Sequence, residues 1–245
     1  MNKTPEFVTP QWDCPANVVA YSSTRKGGVS SGDFEGLNVG AHVGDDLLLV
    51  RANRSLLPHH EKITWLEQVH SNKVVSLPSI DTTADASISI SPNFFCAVMT
   101  ADCVPILLCS KRGDAVAAIH AGWKGLHTNV IANTVNTLKL TTTDLMAWIG
   151  PAISVDCYEV DETLAQQFAQ YPNAIKKSTA PGKYLLDLPL IAEAQLRQSG
   201  VESIYQSGLC TYTHEEMFYS HRSATHKRKR STGRIVSVIG LTTNR

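Results

Sequence analysis

Short apolar, β-branched runs alternate with amphipathic helical patterns along nearly the whole chain, which predicts the α/β class. No repeat of fixed period and no Gly/Ser-rich or Pro-rich linker divides the 245 residues. A chain of that length can bury a sizeable core, so the expectation is one domain over residues 1–245, with mixed β-sheets flanked by helices.

In chain order, VVAYS at Val18–Ser22 is the first predicted strand, and Asp45 or Asp46 is placed to cap a helix over LLLVRANRSLL. Strands are then predicted at Lys73–Leu77, Cys96–Thr100, Val104–Cys109 and Ala115–His120. Leu126, Val130, Ile131, Thr134, Val135 and Leu138 recur at helical spacing, which predicts a helix over 125–139. Leu145–Ile149 reads as a further strand, and Asp161 as an N-cap before ETLAQQFAQ. Residues 171–183 (YPNAIKKSTAPGK) read as a polar loop. A helix is expected from just after Asp187 to just before Gly200, and a last strand at Arg234–Leu241.

Lys plus Arg and Asp plus Glu balance at 22 each, so no net field recruits nucleic acid or an anionic membrane, and a small molecule is the expected partner. The basic run His226–Arg230 (HKRKR), flanked by Ser, Thr and Gly, reads as a solvated loop. Six cysteines lack C-x-x-C pairs and the density of a disulfide scaffold. The N-terminal stretch lacks the pattern of a secretory signal, and no apolar run reaches the roughly 20 residues that span a bilayer. These features predict a cytoplasmic protein, monomer or homodimer.

Chemistry concentrates between Met99 and Leu126, in MTADCVPILLCSKRGDAVAAIHAGWKGL. Cys103 and His120 stand near the ends of two strand-like runs, and His70 holds a similar position in WLEQVHSNKVV. Two imidazoles and a thiolate suit Zn²⁺ with the fourth tetrahedral position open, the arrangement of a catalytic zinc that acidifies water; copper is the alternative metal. Asp102 is expected to orient a ligand imidazole or accept a substrate proton, and so joins His70, Cys103 and His120 as a candidate catalytic residue. Gly122 allows backbone close to a ligand, and Trp123 would supply a flat apolar wall.

QVHSNKVV, MTADCVPILL and HAGWKGL, in that order, resemble the signature of the YfiH-like family, also called the laccase-domain or multicopper polyphenol oxidoreductase family. The resemblance extends over about 20–240. It includes Ser23-Thr24-Arg25, Gly27-Gly28-Val29-Ser30, Leu37-Asn38-Val39-Gly40 and His42-Val43-Gly44-Asp45 towards the N-terminus. Gly150-Pro151-Ala152, Cys210-Thr211-Tyr212, Phe218-Tyr219-Ser220 and Thr232-Gly233-Arg234 carry it towards the C-terminus. It implies a metal on His70, Cys103 and His120. It also implies purine nucleoside phosphorolysis of adenosine, inosine or methylthioadenosine, adenosine deamination, or editing of a cell-wall precursor. Arg25 and Arg222 fall at family arginines suited to phosphate, and Asn38, Trp123 and Lys124 complete the expected substrate-binding set. Departures occur at Ser71, Lys124, Cys157-Tyr158 and His221, which bear on substrate preference rather than on the metal.

Four chemistries remain open on the sequence. A zinc-dependent nucleoside phosphorylase or deaminase uses the triad with nearby cations. A copper polyphenol oxidase needs many histidines, largely as His-x-His pairs, and the nine histidines here form none. A Cys–His amide hydrolase would use Cys103 as nucleophile with His120 or His70 as base. A binding module with structural metal needs a fourth ligand, for which His42 or His127 is available.

Overall fold

Two sheets packed face to face organise the chain, and the computed structural model describes residues 4–243. The larger sheet has six strands in the spatial order Ser203–Gln206, Leu145–Ile149, Val104–Ser110, Val116–Ala121, Ala86–Ser89 and Val74–Ser76. Its two outer pairings are parallel and the central ones antiparallel. The second sheet has five, in the order Phe7–Val8, Val18–Ser23, Ile235–Leu241, Phe95–Thr100 and Ile63–Thr64.

Both faces of the larger sheet are covered, which explains why its central strands are apolar throughout rather than alternating. Ile106, Leu108, Ala117 and Ile119 face the helices, where they pack with Leu126, Val130, Ile131 and Val135. Leu107, Cys109, Ala118 and Trp148 face the other way and meet Cys96, Val98 and Ile239 of the second sheet. Successive residues of one strand thus serve two cores, as the two-residue period of a strand requires. Ala97, Met99, Val236 and Val238 line the outer face of the second sheet under Leu37 and Val39.

The long strands and helix caps lie close to their predicted places. Asp46, Asp161 and Asp187 each accept an amide of the following first turn, at 2.8, 2.8 and 2.9 Å, starting helices Leu47–Ser55, Glu162–Gln166 and Leu188–Gln198. Gly200, with φ +84°, follows the last of these.

Two expectations are corrected. The helix predicted over 125–139 is two helices, Trp123–His127 and Val130–Leu138. Asn129 between them adopts φ 65°, a left-handed conformation that Asn tolerates and that ends the helical ladder. Gly125 in the first of them lets the helix approach the 71 loop, since an added Cβ would lie 3.3 Å from the Ser71 carbonyl. Residues 171–183 are not simply a loop. Ile175–Lys177 pairs with Lys183–Leu186, which pairs in turn with Glu159–Asp161 in a small antiparallel sheet. These strands are only three or four residues long, and two of them bear lysines, so they give no recognisable period.

The basic run is exposed as expected, with Lys227 paired to Glu215 and Lys229 to Asp33. No helix among the described residues is long and apolar enough to cross a membrane.

Gly240 sits where the second sheet meets the Phe95 ring. A Cβ there would come within 2.1 Å of a ring carbon, in a strand held on both sides. Gly240→Ala is therefore expected to destabilise the fold by about 1–3 kcal/mol, read as a lower denaturation midpoint. An unchanged midpoint would show that Phe95 has room to move.

Candidate metal centre

His70, Cys103 and His120 come together at one end of the two sheets. Cys103 directly precedes the strand Val104–Ser110, His120 lies in its neighbour Val116–Ala121, and His70 sits on the loop before Val74–Ser76. Their ligand atoms all lie within 4.8 Å of one another. His120 is buried, Cys103 half-buried and His70 exposed, so the group opens to solvent on one side.

The donor set fits a borderline-soft ion. Gly122 fits it as well, because an added Cβ would lie 3.0 Å from Cys103 Sγ and 3.2 Å from His70 Cδ2. His42 and His127 do not complete a fourth ligand. His42 lines the adjoining cavity without joining the ligand group, and His127 packs edge-to-face with Phe168.

Asp85, a residue the sequence does not single out, organises two of the candidate ligands. Its fully buried carboxylate lies 2.8 Å from His120 Nδ1, leaving Nε2 as the ring nitrogen free for a metal. The same carboxylate accepts the amides of Val69, His70 and Ser71 at 3.3, 3.0 and 2.6 Å, and the Ser71 hydroxyl at 2.8 Å. These bonds hold His70 at φ 58°. Gln68 anchors the other end of that loop, exchanging two hydrogen bonds with the Met99 backbone at 2.7 and 2.9 Å.

Burial pushes the Asp85 carboxyl up, but its bonds to His120 and Ser71 more than offset this and bring it to about 2. Burial likewise raises the Cys103 thiol, and the charge and hydrogen bonds of His120 and His70 lower it to about 6. Burial pushes His120 down, while Cys103 and Asp85 hold it up at about 9. Without metal the pair is thus a thiolate beside an imidazolium, electrostatically prepared for a cation in place of the proton.

A cavity of about 350 Å³ opens over the triad, lined among others by Trp123, Tyr158, His42, His221, Arg222 and Arg234. Arg222 lies over the Tyr158 ring, 4.9 Å from its centroid, and donates to the Glu159 carbonyl at 2.7 Å. Arg234 is poorly solvated, and burial lowers its pKa. Burial, then the charges of Arg234 and Arg54, push the His42 imidazole down, so it is neutral at pH 7.

Three expected substrate residues lie elsewhere. Arg25 donates to the Glu215 and Glu35 carbonyls at 3.2 and 3.1 Å and stacks on Tyr219, in a separate open groove. Asn38 is fully buried, and its side-chain oxygen accepts the Arg234 amide at 2.9 Å, so it supports a cavity residue without lining the cavity. Lys124 is exposed beside the Trp123 ring and does not line the cavity.

Asp102 lines the cavity but is committed otherwise than expected. Its carboxylate accepts the Thr211 hydroxyl and the Arg222 amide, both at 2.7 Å, and the imidazole partner is Asp85 instead. Gln68, Asp85 and Arg234 gave no sign of a site role. Gln68 begins the Q-V-H motif and Arg234 ends T-G-R, but Asp85 in TTADAS has no signal beyond being a carboxylate before a strand.

The sequence model of the multi-copper polyphenol oxidoreductase laccase family matches residues 19–242. This chain belongs to that family, the YfiH-like or laccase-domain family. It is 41% identical to purine nucleoside phosphorylase YfiH of Shigella flexneri, covering 96% of this chain and 99% of that protein. It is 40% identical to a purine nucleoside phosphorylase of Pseudomonas aeruginosa, covering 96% and 98%. Among solved structures, a Neisseria meningitidis protein of the DUF152 family superposes with a TM-score of 0.88 at 39% identity, over 97% of this chain and 99% of that one. YlmD from Geobacillus stearothermophilus superposes at 0.85 and 32% identity, over 93% of each chain. Membership of the YfiH-like family and its mixed α/β fold are therefore established, and a metal on the His–Cys–His group agrees with the family's description.

Asp85→Asn removes one strong acceptor while keeping the volume. Metal affinity, measured by titration against a chelator, is expected to fall about 10–100-fold with the fold retained. Unchanged affinity in a folded variant would remove Asp85 from the orienting role.

Proposed function

We propose that this protein is a zinc-dependent purine nucleoside phosphorylase, with His70, Cys103 and His120 as the metal ligands. The observation that carries the reading is a three-ligand group at the floor of a cavity that also presents two guanidinium groups and two aromatic rings. The names of the relatives from Shigella flexneri and Pseudomonas aeruginosa support the substrate class.

Bound there, zinc supplies a Lewis acid at the cavity floor. Trp123 and Tyr158 offer faces on which a planar purine can stack. Arg222 and Arg234 present planar forks that match phosphate. Phosphorolysis needs a phosphate oxygen brought to the anomeric carbon as the bond to the purine nitrogen breaks, with charge building on the ribose and the base. Guanidinium groups fixed by the Glu159 carbonyl and by the Thr232 and Gly233 carbonyls hold phosphate without reorganising. His42, kept neutral, has a ring nitrogen available as an acceptor for a substrate hydrogen.

Asp102 acts on this arrangement indirectly, by binding the Arg222 amide and so placing the first turn of the helix His221–His226. Asn38 does the same for Arg234. Both are positioning residues in this reading. Among the described residues one group of three metal-binding side chains is present, whereas multicopper oxidase chemistry needs several centres.

Adenosine incubated with zinc-loaded protein should yield adenine and ribose 1-phosphate only when phosphate is present. Inosine formed without phosphate would identify a deaminase instead, and no nucleoside turnover would overturn the nucleoside reading. Cys103→Ala should lose stoichiometric metal together with turnover, and retained metal would overturn the ligand assignment. Arg222→Ala and Arg234→Ala should each raise the phosphate concentration required by about 10–100-fold, the size expected for losing a charge-assisted hydrogen bond. An unchanged phosphate requirement in both would remove them from the phosphate site.

A further inference from the structure

Behind the cavity wall, away from the metal ligands, two further cysteines meet around one serine. Cys210 lies in a bridge that pairs its segment with Ala152, and it helps line a surface groove of about 180 Å³ together with Ser154, Asp187 and Ser207. Ser154 donates to Cys210 Sγ twice, from its amide at 3.3 Å and from its hydroxyl at 3.1 Å. Cys157 ends the short turn Val155–Cys157 that begins just after Ser154, and it is half-buried. Its thiol is near enough to the Ser154 side chain and the Cys210 sulfur for both to act on its proton affinity.

We propose that Cys210 and Cys157 are a peroxide-reactive thiol pair, with Cys210 as the attacking sulfur and Cys157 as the resolving one. Two donors aimed at one sulfur favour its thiolate, the reactive form of cysteine. Burial pushes the Cys210 thiol up, and the bonds from Ser154 and Thr213 outweigh that and bring it to about 7. Cys157 moves the other way, raised by burial and further by the neighbouring Cys210 sulfur, so it keeps its proton at neutral pH. The remaining thiols do not compete on these terms. Burial drives Cys96 and Cys109 up to about 12 and also raises Cys14, while Cys103 belongs to the metal group.

The chemistry balances with a hydroperoxide as oxidant. The Cys210 thiolate attacks the terminal peroxide oxygen, the O–O bond breaks, and the leaving oxygen takes a proton to depart as water or an alcohol. Cys210 is then a sulfenic acid. The Cys157 sulfur attacks Cys210 Sγ, the S–O bond breaks, and hydroxide leaves as water with the Cys157 proton. Two thiols are oxidised to one disulfide, and one peroxide is reduced. The product would tie together two segments of the cavity wall. Thr211, next to Cys210, holds Asp102, and Tyr158, next to Cys157, lies under Arg222.

The test is peptide mapping of the metal-loaded protein after equimolar hydrogen peroxide near neutral pH. The expected product is a Cys157–Cys210 linked peptide pair that a dithiol separates. Cys157→Ser should instead accumulate Cys210 sulfenic acid, trapped by a dimedone-type reagent. Alkylation of Cys210 in the native protein should follow a midpoint of about 7. Ser154→Ala should raise that midpoint by about one pH unit and cut the neutral-pH rate about fivefold. The proposal is overturned if peroxide leaves Cys210 reduced, if Cys210 is oxidised without linking to Cys157, or if Ser154→Ala leaves the alkylation profile in place. None of these readouts depends on the substrate of the metal site.

Discussion

The buried carboxylate of Asp85 fixes the His–Cys–His group from two directions at once. One side-chain bond sets the ring of His120, and a set of amide bonds sets the backbone that carries His70. A carboxylate fully removed from water is costly unless every lone pair finds a donor, and here the 69–71 loop and His120 supply them. The constraint runs both ways. Without Asp85 the loop loses the acceptor that holds it left-handed, and without the loop Asp85 is a buried unpaired charge. Cys103 is placed independently, directly before a strand inside a sheet that is covered on both faces.

The cavity above the triad is held by polar groups in and around its wall. Asn38 binds the Arg234 amide, Asp102 binds the Arg222 amide, and the Glu159 carbonyl receives the Arg222 guanidinium. The arginines thus enter the cavity with their directions already set, which lowers the entropic cost of holding an anion. Asp102 shows φ 93° beside Cys103, and His70 shows φ 58°. Left-handed backbone at two residues of one site is strain that the surrounding hydrogen bonds must sustain.

The sequence carried much of the fold because long strands and capped helices have local causes. The apolar runs at Val104–Ser110 and Val116–Ala121 leave no face for water, and the Asp caps at 46, 161 and 187 mark helix starts within one turn. What failed was what depends on one backbone angle or on a distant partner. Asn129 broke a helix whose apolar spacing runs straight through it, and the 175–177 and 183–186 strands exist because they pair with each other and with 159–161.

By itself the sequence determined the class and the family and named three candidate ligand side chains, since donor chemistry and motif order belong to the residues themselves. Only tertiary structure decided who supports those ligands and what faces the cavity. Asp85 reaches His120 across 35 positions, and Arg222 meets Asp102 across 120. Arg25, at a motif suited to phosphate, was drawn to Tyr219 and two carbonyls instead, because a guanidinium takes whichever planar ring and acceptors the fold places beside it. Spacing along a chain holds no information about such distant encounters, which are fixed when the two sheets close on their shared core.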